Sequence, residues 1–147
     1  MSYFAKLNDS NIVTTVVHVN NSVITDSENN EQESLGQTFL QNLYNEPSAV
    51  WKKGSYNTRA GSYRNPDNTI ATDQTKKFRI NYPSIGMKYD STLDGFIEAG
   101  CIYDSWNLNT TTGYYEAPSP IPETYTDGSE IPDSYVWDES TISWVKL

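Results

Sequence analysis

The sequence is poor in the residues that cross-link, anchor or catalyse. It contains a single cysteine, Cys101, so no disulfide can form within the chain. No stretch approaches the ~20 consecutive apolar residues of a membrane-spanning helix. The first ten residues, MSYFAKLNDS, have no basic region followed by an apolar one. We therefore expect neither a signal peptide nor a transmembrane segment, and synthesis in a cytoplasm.

Positive charge is also scarce. Ten Lys and Arg stand against nineteen Asp and Glu, which leaves a net charge of −9. Nucleic acids and anionic membranes bind proteins through clustered Lys and Arg side chains. The balance therefore predicts no nucleic-acid partner and no membrane partner, and it favours solubility in salty surroundings.

Signatures of catalysis are missing as well. The only histidine, His18, lies in a β pattern, where a surface position is commoner than a role as a base. Cys101 has no second cysteine or neighbouring histidine to complete a zinc site or to activate a thiolate. Asp90, Asp94 and Asp127 are explained by turns rather than by a calcium-binding loop. We expect no enzyme, no cofactor and no bound metal.

The sequence is rich in aromatic rings and uncharged polar residues. Four Trp, eleven Tyr and four Phe occur in 147 residues, a content that argues against disorder. The length predicts a single domain, 1–147. We expect a mainly β fold in which successive β-hairpins form a small sheet or sandwich, with one amphipathic helix and long loops.

The first 25 residues predict an N-terminal β-hairpin, 2–25. SYFAKL and IVTTVVHV are separated by the turn-rich NDSN, and the second stretch alternates β-branched side chains. This alternation predicts one set of side chains on each face of the strand: Ile12, Thr14, Val16 and His18 against Val13, Thr15, Val17 and Val19.

One amphipathic helix, and no other, is predicted at about 30–44. Leu35, Phe39 and Leu43 recur every four residues, Leu40 and Tyr44 flank them, and Pro47 follows the pattern. We expect this apolar stripe to pack on the neighbouring sheet. The alternative is a helix that binds a partner.

The segment 58–75 is predicted to be a long loop or arm, because Gly, Asn, Pro and Asp occur in it without period. Half of the basic residues lie here and just beyond it. Two interpretations are open, namely ion pairs within the domain and contact with an acidic patch on a neighbouring subunit. The residues are Arg59, Arg64, Lys76, Lys77 and Arg79.

Residues 87–147 contain a repeated unit, with copies at 89–96, 108–115 and 137–144. Each copy has a large apolar residue, then Asp or Asn, then a polar run, and an aromatic residue six positions after the Asp or Asn. That side chain can accept a bond from the backbone two residues on, and Gly or Ser can adopt the left-handed conformation that reverses the chain. The unit predicts a hairpin whose large side chains, Trp137 and Trp144 in the last copy, pair across the strands. The NDSN turn resembles a weaker fourth copy.

A proline-rich linker, 118–132, separates the last two copies. Its prolines favour extended chain without internal hydrogen bonds, which needs a surface to lie on. That surface belongs either to this domain or to a neighbouring subunit. The predicted packing partners for the proline rings are Tyr103, Trp106, Tyr114 and Tyr125.

Several blocks resemble small structural proteins encoded by marine tailed bacteriophages of the cyanophage type. MSYFAKL and IVTTVV at the start resemble their opening. The likeness continues, in order and spacing, through WKKGSYNTRAGSY (51–63), RINYPSIGMKYDSTLDGFIEA (79–99), SWNLNTTTGYYEAP (105–118) and YVWDESTISWV (135–145). It covers most of the chain, and 26–47 and 119–134 match less clearly.

The resemblance implies a structural protein of the virion, or an accessory to it, made in the host cytoplasm. It leaves the capsid exterior, the neck and the tail open as locations. We expect a non-enzymatic capsid decoration or cement protein, present in many copies or as a homo-oligomer, that binds the major capsid protein or neck or tail proteins. One alternative is a tail, neck or fibre accessory that recognises a host-surface glycan or another tail protein. Another is a chaperone or host-takeover factor absent from the particle.

The residues predicted to contact partners fall into two sets. The first is basic and lies in or near the 58–75 segment: Arg59, Arg64, Lys76 and Arg79. The second is aromatic and lies near the proline-rich linker: Tyr103, Trp106 and Tyr125.

Overall fold

The structure is a computed structural model that describes residues 2–126 and 128–147. The described residues are mainly β, as the sequence predicts, and form small antiparallel sheets with two helices. The sequence predicts a single domain, whereas the chain divides into two compact units. The first unit comprises the described residues up to 99 together with 110–114. The second comprises 100–109 with the described residues of 115–147.

A three-stranded antiparallel sheet is the centre of the first unit. Strand β1 (Ser2–Leu7) lies between β2 (Val13–Val19) and β3 (Val50–Gly54). The predicted hairpin of 2–25 therefore exists, but it ends at Val19. Helix α1 (Asn21–Ile24) replaces the expected strand, because the Asn20 side chain accepts a bond from Ser22 N at 3.0 Å and caps a helical turn.

A bulge in β2 corrects the predicted alternation of that strand. Lys6 pairs with Thr15 but Leu7 pairs with Val13, so one residue of β2 is extra. The extra residue shifts Val13 to the face that carries Val16, whereas Val17 and Val19 lie on the other face. The sequence predicts Val13 with Val17 and Val19, and that expectation is wrong at Val13.

Helix α2 (Glu33–Leu43) lies within the predicted range 30–44, but it presents a different face to the sheet. Gly36 and Leu40 are buried, whereas Leu35 and Phe39 are each 39% exposed and Leu43 is 62% exposed. Gly36 permits close approach, since a Cβ there would lie 2.2 Å from Cζ of Phe4. The predicted packing is therefore correct for Leu40, which joins the cluster on the sheet, and wrong for Leu35, Phe39 and Leu43. Helix α1 is a helix beyond the one predicted.

Both faces of the central sheet are covered. On one face the buried cluster is Phe4, Val19, Ile24, Leu40 and Trp51, with both helices contributing. On the other face it is Ala5, Leu7, Val13, Tyr89 and Phe96. Because neighbouring residues of a strand point to opposite faces, β1 supplies Phe4 to one cluster and Ala5 and Leu7 to the other.

The segment predicted as a loop or arm, 58–75, is folded back on itself. Strands β4 (Thr58–Arg59) and β5 (Ser62–Tyr63) pair, and a bridge from Arg64 to Ile70 continues the ladder. The Gln74 amide then fixes the end of the segment, because it accepts from Tyr63 N at 2.8 Å and donates to Tyr63 O at 3.0 Å. The segment is therefore a pinned surface loop rather than a free arm.

The repeated units form hairpins. They are β6 (Lys88–Asp90) with β7 (Gly95–Ile97), β8 (Asn107–Asn109) with β9 (Tyr114–Glu116), and β10 (Tyr135–Asp138) with β11 (Ser143–Lys146). Tyr89 pairs with Phe96 and Trp137 with Trp144, as the spacing predicts. The described residues of the proline-rich linker, 118–126 and 128–132, contain no helix or strand.

The turns of the repeat share one backbone feature. Asp90 and Asp138 each accept a bond from the backbone N–H two residues on, at 2.9 Å. The sixth position of every copy is left-handed, and its occupants are Asp94, Gly113 and Ile142. The sequence predicts Gly or Ser for this role, which is correct only for Gly113. The fourth, weaker copy fits in part. Asn8 accepts from Ser10 N at 2.9 Å, but its left-handed residue, Asn11, comes one position earlier than in the other copies.

Candidate interaction sites

The two predicted contact sets lie in different units. Arg59, Arg64, Lys76 and Arg79 belong to the first unit, and Tyr103, Trp106 and Tyr125 belong to the second. Each set is therefore described by the cavity and contacts of its own unit.

Arg79 is a structural residue, and its assignment as a partner contact is wrong. Its side chain is only 8% exposed. It donates Nη1 to Glu33 Oε1 at 2.6 Å, Nη2 to Glu33 Oε2 at 3.0 Å and Nε to Asp94 Oδ1 at 3.0 Å. Burial alone would lower the Arg79 pKa, but the two carboxylates outweigh it and raise the pKa. The interpretation as an internal ion pair holds for this residue.

Tyr89 extends this network. Its hydroxyl donates to Asp94, the carboxylate that also accepts from Arg79. Burial and then this hydrogen bond raise the pKa of Tyr89 to about 12. Burial opposes the charge on Asp94, but the Tyr89 bond and the Arg79 charge lower its pKa overall. At neutral pH, therefore, Arg79 and Asp94 are charged and Tyr89 is neutral.

Arg59 and Arg64 line one cavity of about 370 Å³. Arg59 is exposed and Arg64 is half-buried. Arg64 Nη1 donates to Asn68 O at 2.9 Å, which directs the guanidinium along the loop. Arg64 Nε is buried and has no hydrogen-bond partner among the described residues. Two guanidinium groups in one cavity suit the planar oxygens of a carboxylate.

Lys76 lines an adjoining cavity of about 420 Å³ with Lys53 and Lys77. The two cavities share Tyr56 and Asn57 as lining residues. Lys53 is neutralised by an ion pair with Glu31, whereas Lys76 and Lys77 are exposed. Lys77 belongs to the basic cluster of the sequence but not to the predicted contact set, although it lines the same cavity as Lys76.

We call Arg59, Arg64, Lys76 and Lys77 the basic face. None of the four forms an ion pair with a carboxylate in the described part of the chain. Lys76 does act on Asp73, whose pKa is lowered first by bonds from Thr75 and then by this charge. The basic face is thus a cluster of four positive side chains without direct ion-pair partners on an acidic chain, so it attracts acidic groups.

The aromatic set lies around a cluster of indole rings in the second unit. Trp137 and Trp144 meet edge to face with their ring centroids 5.2 Å apart. Trp106 lies 6.0 Å from Trp137 and 6.1 Å from Trp144, and Tyr103 lies 5.2 Å from Trp106. Trp137 is 5% exposed, so the rings act as the core of this unit.

One carboxylate joins this cluster to its neighbouring loop. Glu139 accepts from Trp137 Nε1, Ser105 N and Ser105 Oγ, each at 2.8 Å. The bonds from Trp137 and Ser105 lower the pKa of Glu139. Tyr125 stands apart from the cluster on the exposed linker. Of the aromatic set, the structure brings together Tyr103 and Trp106 but not Tyr125.

The residues weighed for catalysis occupy ordinary structural positions. His18 is exposed and stacks on Tyr3 with ring centroids 6.1 Å apart. Cys101 Sγ accepts from Tyr103 N at 3.4 Å. Across residues 2–126 and 128–147, no group of three or more His, Cys, Asp or Glu is arranged to hold a metal ion. Asp127 lies outside the described residues.

Comparison with family models, curated proteins and solved structures gives no match for this chain. Of the helices in the described residues, none combines the length and apolar character needed to cross a membrane.

Proposed function

We propose that this protein is a non-enzymatic structural component of a tailed-phage particle. Its role is that of a decoration or cement protein, which binds the outside of the head in many copies. The sequence blocks that resemble marine phage structural proteins support the assignment to a particle. The basic face supports attachment through charge, and it is the observation that carries the proposal.

The charge distribution explains how a strongly acidic protein attaches to an acidic neighbour. Outside the basic face, six Lys and Arg stand against nineteen Asp and Glu. Two acidic surfaces repel each other unless one of them presents a local positive patch. Arg59, Arg64, Lys76 and Lys77 provide that patch, and the major capsid protein is the proposed acidic partner.

The location in the particle is tested by counting copies. Quantitative mass spectrometry of purified particles from the phage that encodes this chain is expected to find hundreds of copies, since decoration follows the symmetry of the head. Six to eighteen copies, roughly the number set by neck or tail symmetry, would favour the tail or neck accessory instead. Absence from the particle would overturn the structural assignment.

The role of the basic face is tested by charge reversal. Arg59→Glu and Lys76→Glu are each expected to lower occupancy on the particle, and Lys88→Glu serves as the control with the same charge change elsewhere. Occupancy is measured by sedimentation of variant protein with particles that lack it. Loss should be greatest at low salt, where charge attraction is least screened. Equal occupancy of all three variants would remove the basic face from the mechanism.

A further inference from the structure

A third cavity lies wholly in the second unit and has a different chemistry. Its volume is about 500 Å³, within the range of small-molecule sites. The side chains of Trp106, Tyr115 and Trp144 line it together with Glu116 and the segment 117–121. The lining combines aromatic rings, one carboxylate and a proline-containing wall.

Hydrogen bonds fix the walls of this cavity. Trp144 Nε1 donates to Ser119 O at 2.9 Å, which ties the proline segment to strand β11. Trp106 packs against both Trp137 and Trp144, so its ring is held by the core of the unit. A site with fixed walls binds a ligand without the cost of ordering its own side chains.

The two indoles present carbon rather than nitrogen to the cavity. Trp144 uses its N–H on the Ser119 carbonyl. The Nε1 atom of Trp106 is buried and lacks a partner in the described residues, so the accessible part of that half-buried ring is carbon. Flat carbon surfaces of this kind stack against the C–H faces of sugar rings.

The polar part of the lining suits hydroxyl groups. Asn109 Nδ2 donates to Glu116 Oε1 at 3.0 Å and so orients the carboxylate. A carboxylate has about four lone-pair sites, so it can accept further donors from sugar hydroxyls. The described lining residues include no Lys, Arg or His. The single charge is negative, so it repels acidic ligands.

The ring geometry distinguishes sugars from quaternary ammonium ions. An aromatic cage surrounds a cation with rings on several sides. Trp106 and Trp144 are in direct contact, with centroids 6.1 Å apart and planes at 59°, so no group fits between them. Ligands meet only the outer ring surfaces, and a flat sugar ring matches that shape better than a compact cation.

We propose that this cavity binds a neutral saccharide through stacking on Trp106, Tyr115 and Trp144 and hydroxyl bonds to Glu116. The site goes beyond attachment to a particle, and it is independent of the basic face. A glycan on a cell surface or on another protein would present the same chemistry to it.

The test follows the indole N–H signals of the full chain by NMR. Chitotetraose and maltotetraose are the neutral probes, and trigalacturonate is the acidic one, each added to about 10 mM because small open sites bind weakly. A neutral probe is expected to shift the Trp106 and Trp144 signals saturably, with a dissociation constant on the order of 1 mM. The Trp51 signal, from the first unit, should not move.

Variants assign the binding to this cavity. Glu116→Gln and Tyr115→Leu are expected to weaken binding roughly fivefold or more, by loss of a charged acceptor or of a stacking ring. Glu123→Gln, on the exposed linker, is the matched control for the loss of one carboxylate. Unchanged indole signals without sugar establish that each variant is folded.

Four results would overturn the proposal. The first is no saturable shift with either neutral probe, and the second is binding of trigalacturonate as tight as that of the neutral probes. The third is undiminished binding by the folded Glu116→Gln and Tyr115→Leu proteins. Displacement of the same signals by decaproline alone would assign the cavity to a peptide and equally overturn it.

Discussion

Arg79 and Glu33 form a two-pronged ion pair although 46 positions separate them in sequence. The two parallel bonds join the chain that follows 58–75 to the first turn of α2. Arg79 Nη1 also donates to Lys53 O at 2.7 Å, so the same side chain reaches strand β3. One guanidinium thus ties together a helix, a strand and a loop.

Removing the charge of Glu33 should therefore destabilise the first unit. Glu33→Gln keeps the side-chain size but leaves Arg79 buried with less compensation, at an expected cost of about 3 kcal/mol. Urea unfolding measures this cost, with the exposed Glu28→Gln as control. A Glu33→Gln protein as stable as the control would show that the pair contributes little.

Long-range pairing of this kind limits what the sequence reveals. The basic cluster is visible in the sequence, but whether a member pairs internally depends on which carboxylate the fold brings near it. Glu33 reaches Arg79 only through the packing of α2, so the sequence cannot separate Arg79 from Arg59 and Arg64. The sequence predicts which residues are basic, but it does not predict that they divide between two cavities.

Local patterns were more informative. The spacing between Tyr89 and Phe96, and between Trp137 and Trp144, depends on one tight turn, and both pairs form as predicted. The position of helix α2 is also predictable, because its apolar period and the following Pro47 are local signals. The buried face of α2 is harder to predict. The stripe of Leu35, Phe39 and Leu43 competes with Leu40, and Gly36, which lies beside Leu40 on the buried face, carries no apolar side chain that a periodic pattern would reveal.

Gly36 supplies a second test. Alanine usually favours a helix by about 1 kcal/mol over glycine, but its methyl group would lie 2.2 Å from the buried Phe4 ring. The clash should outweigh propensity, so Gly36→Ala is expected to lower stability by roughly 1–3 kcal/mol. The exposed Thr38→Ala is the control and should be neutral or stabilising. Calorimetric melting compares them, and a gain in Gly36→Ala would contradict the packing.

Ile142 has a left-handed backbone conformation in its turn, and replacing it should raise the free energy of unfolding of the second unit. Its φ is 50°, a conformation that strains a β-branched residue. The side chain is 57% exposed, so little burial is lost on replacement. Asparagine already occupies left-handed positions at Asn11, Asn29 and Asn45. Ile142→Asn is therefore expected to stabilise the second unit by roughly 0.5–1 kcal/mol.

The control is Ile142→Val, which keeps the β-branch and should give no gain in stability. Chemical unfolding followed by tryptophan fluorescence separates the two, and equal midpoints would count against strain.

The contacts of Asp133, which directly follows the proline-rich linker, predict that this part of the second unit opens in acid. Bonds from Thr126 and Thr124, and then from Lys146, lower the Asp133 pKa to about 2. An unfolded aspartate titrates near pKa ~3.9. A lowered folded pKa means that the stabilisation is complete above about pH 4 and disappears as the pH falls towards 2.

The expected result is a local opening between pH 4 and 2, seen as a fall in the protection of the Asp133 amide relative to an unstructured chain at the same pH. This amide donates to Thr124 O at 2.8 Å. The Asp133→Asn protein should show low protection of this amide at neutral pH and no further loss of protection across that window. Glu130→Gln, an exposed neighbour on the same segment, should behave like the unmodified chain. A carboxyl titration midpoint near pH 4 for Asp133 itself would mean that the threonine and lysine contacts do not hold its charge, and the acid-sensitive opening would have to originate elsewhere.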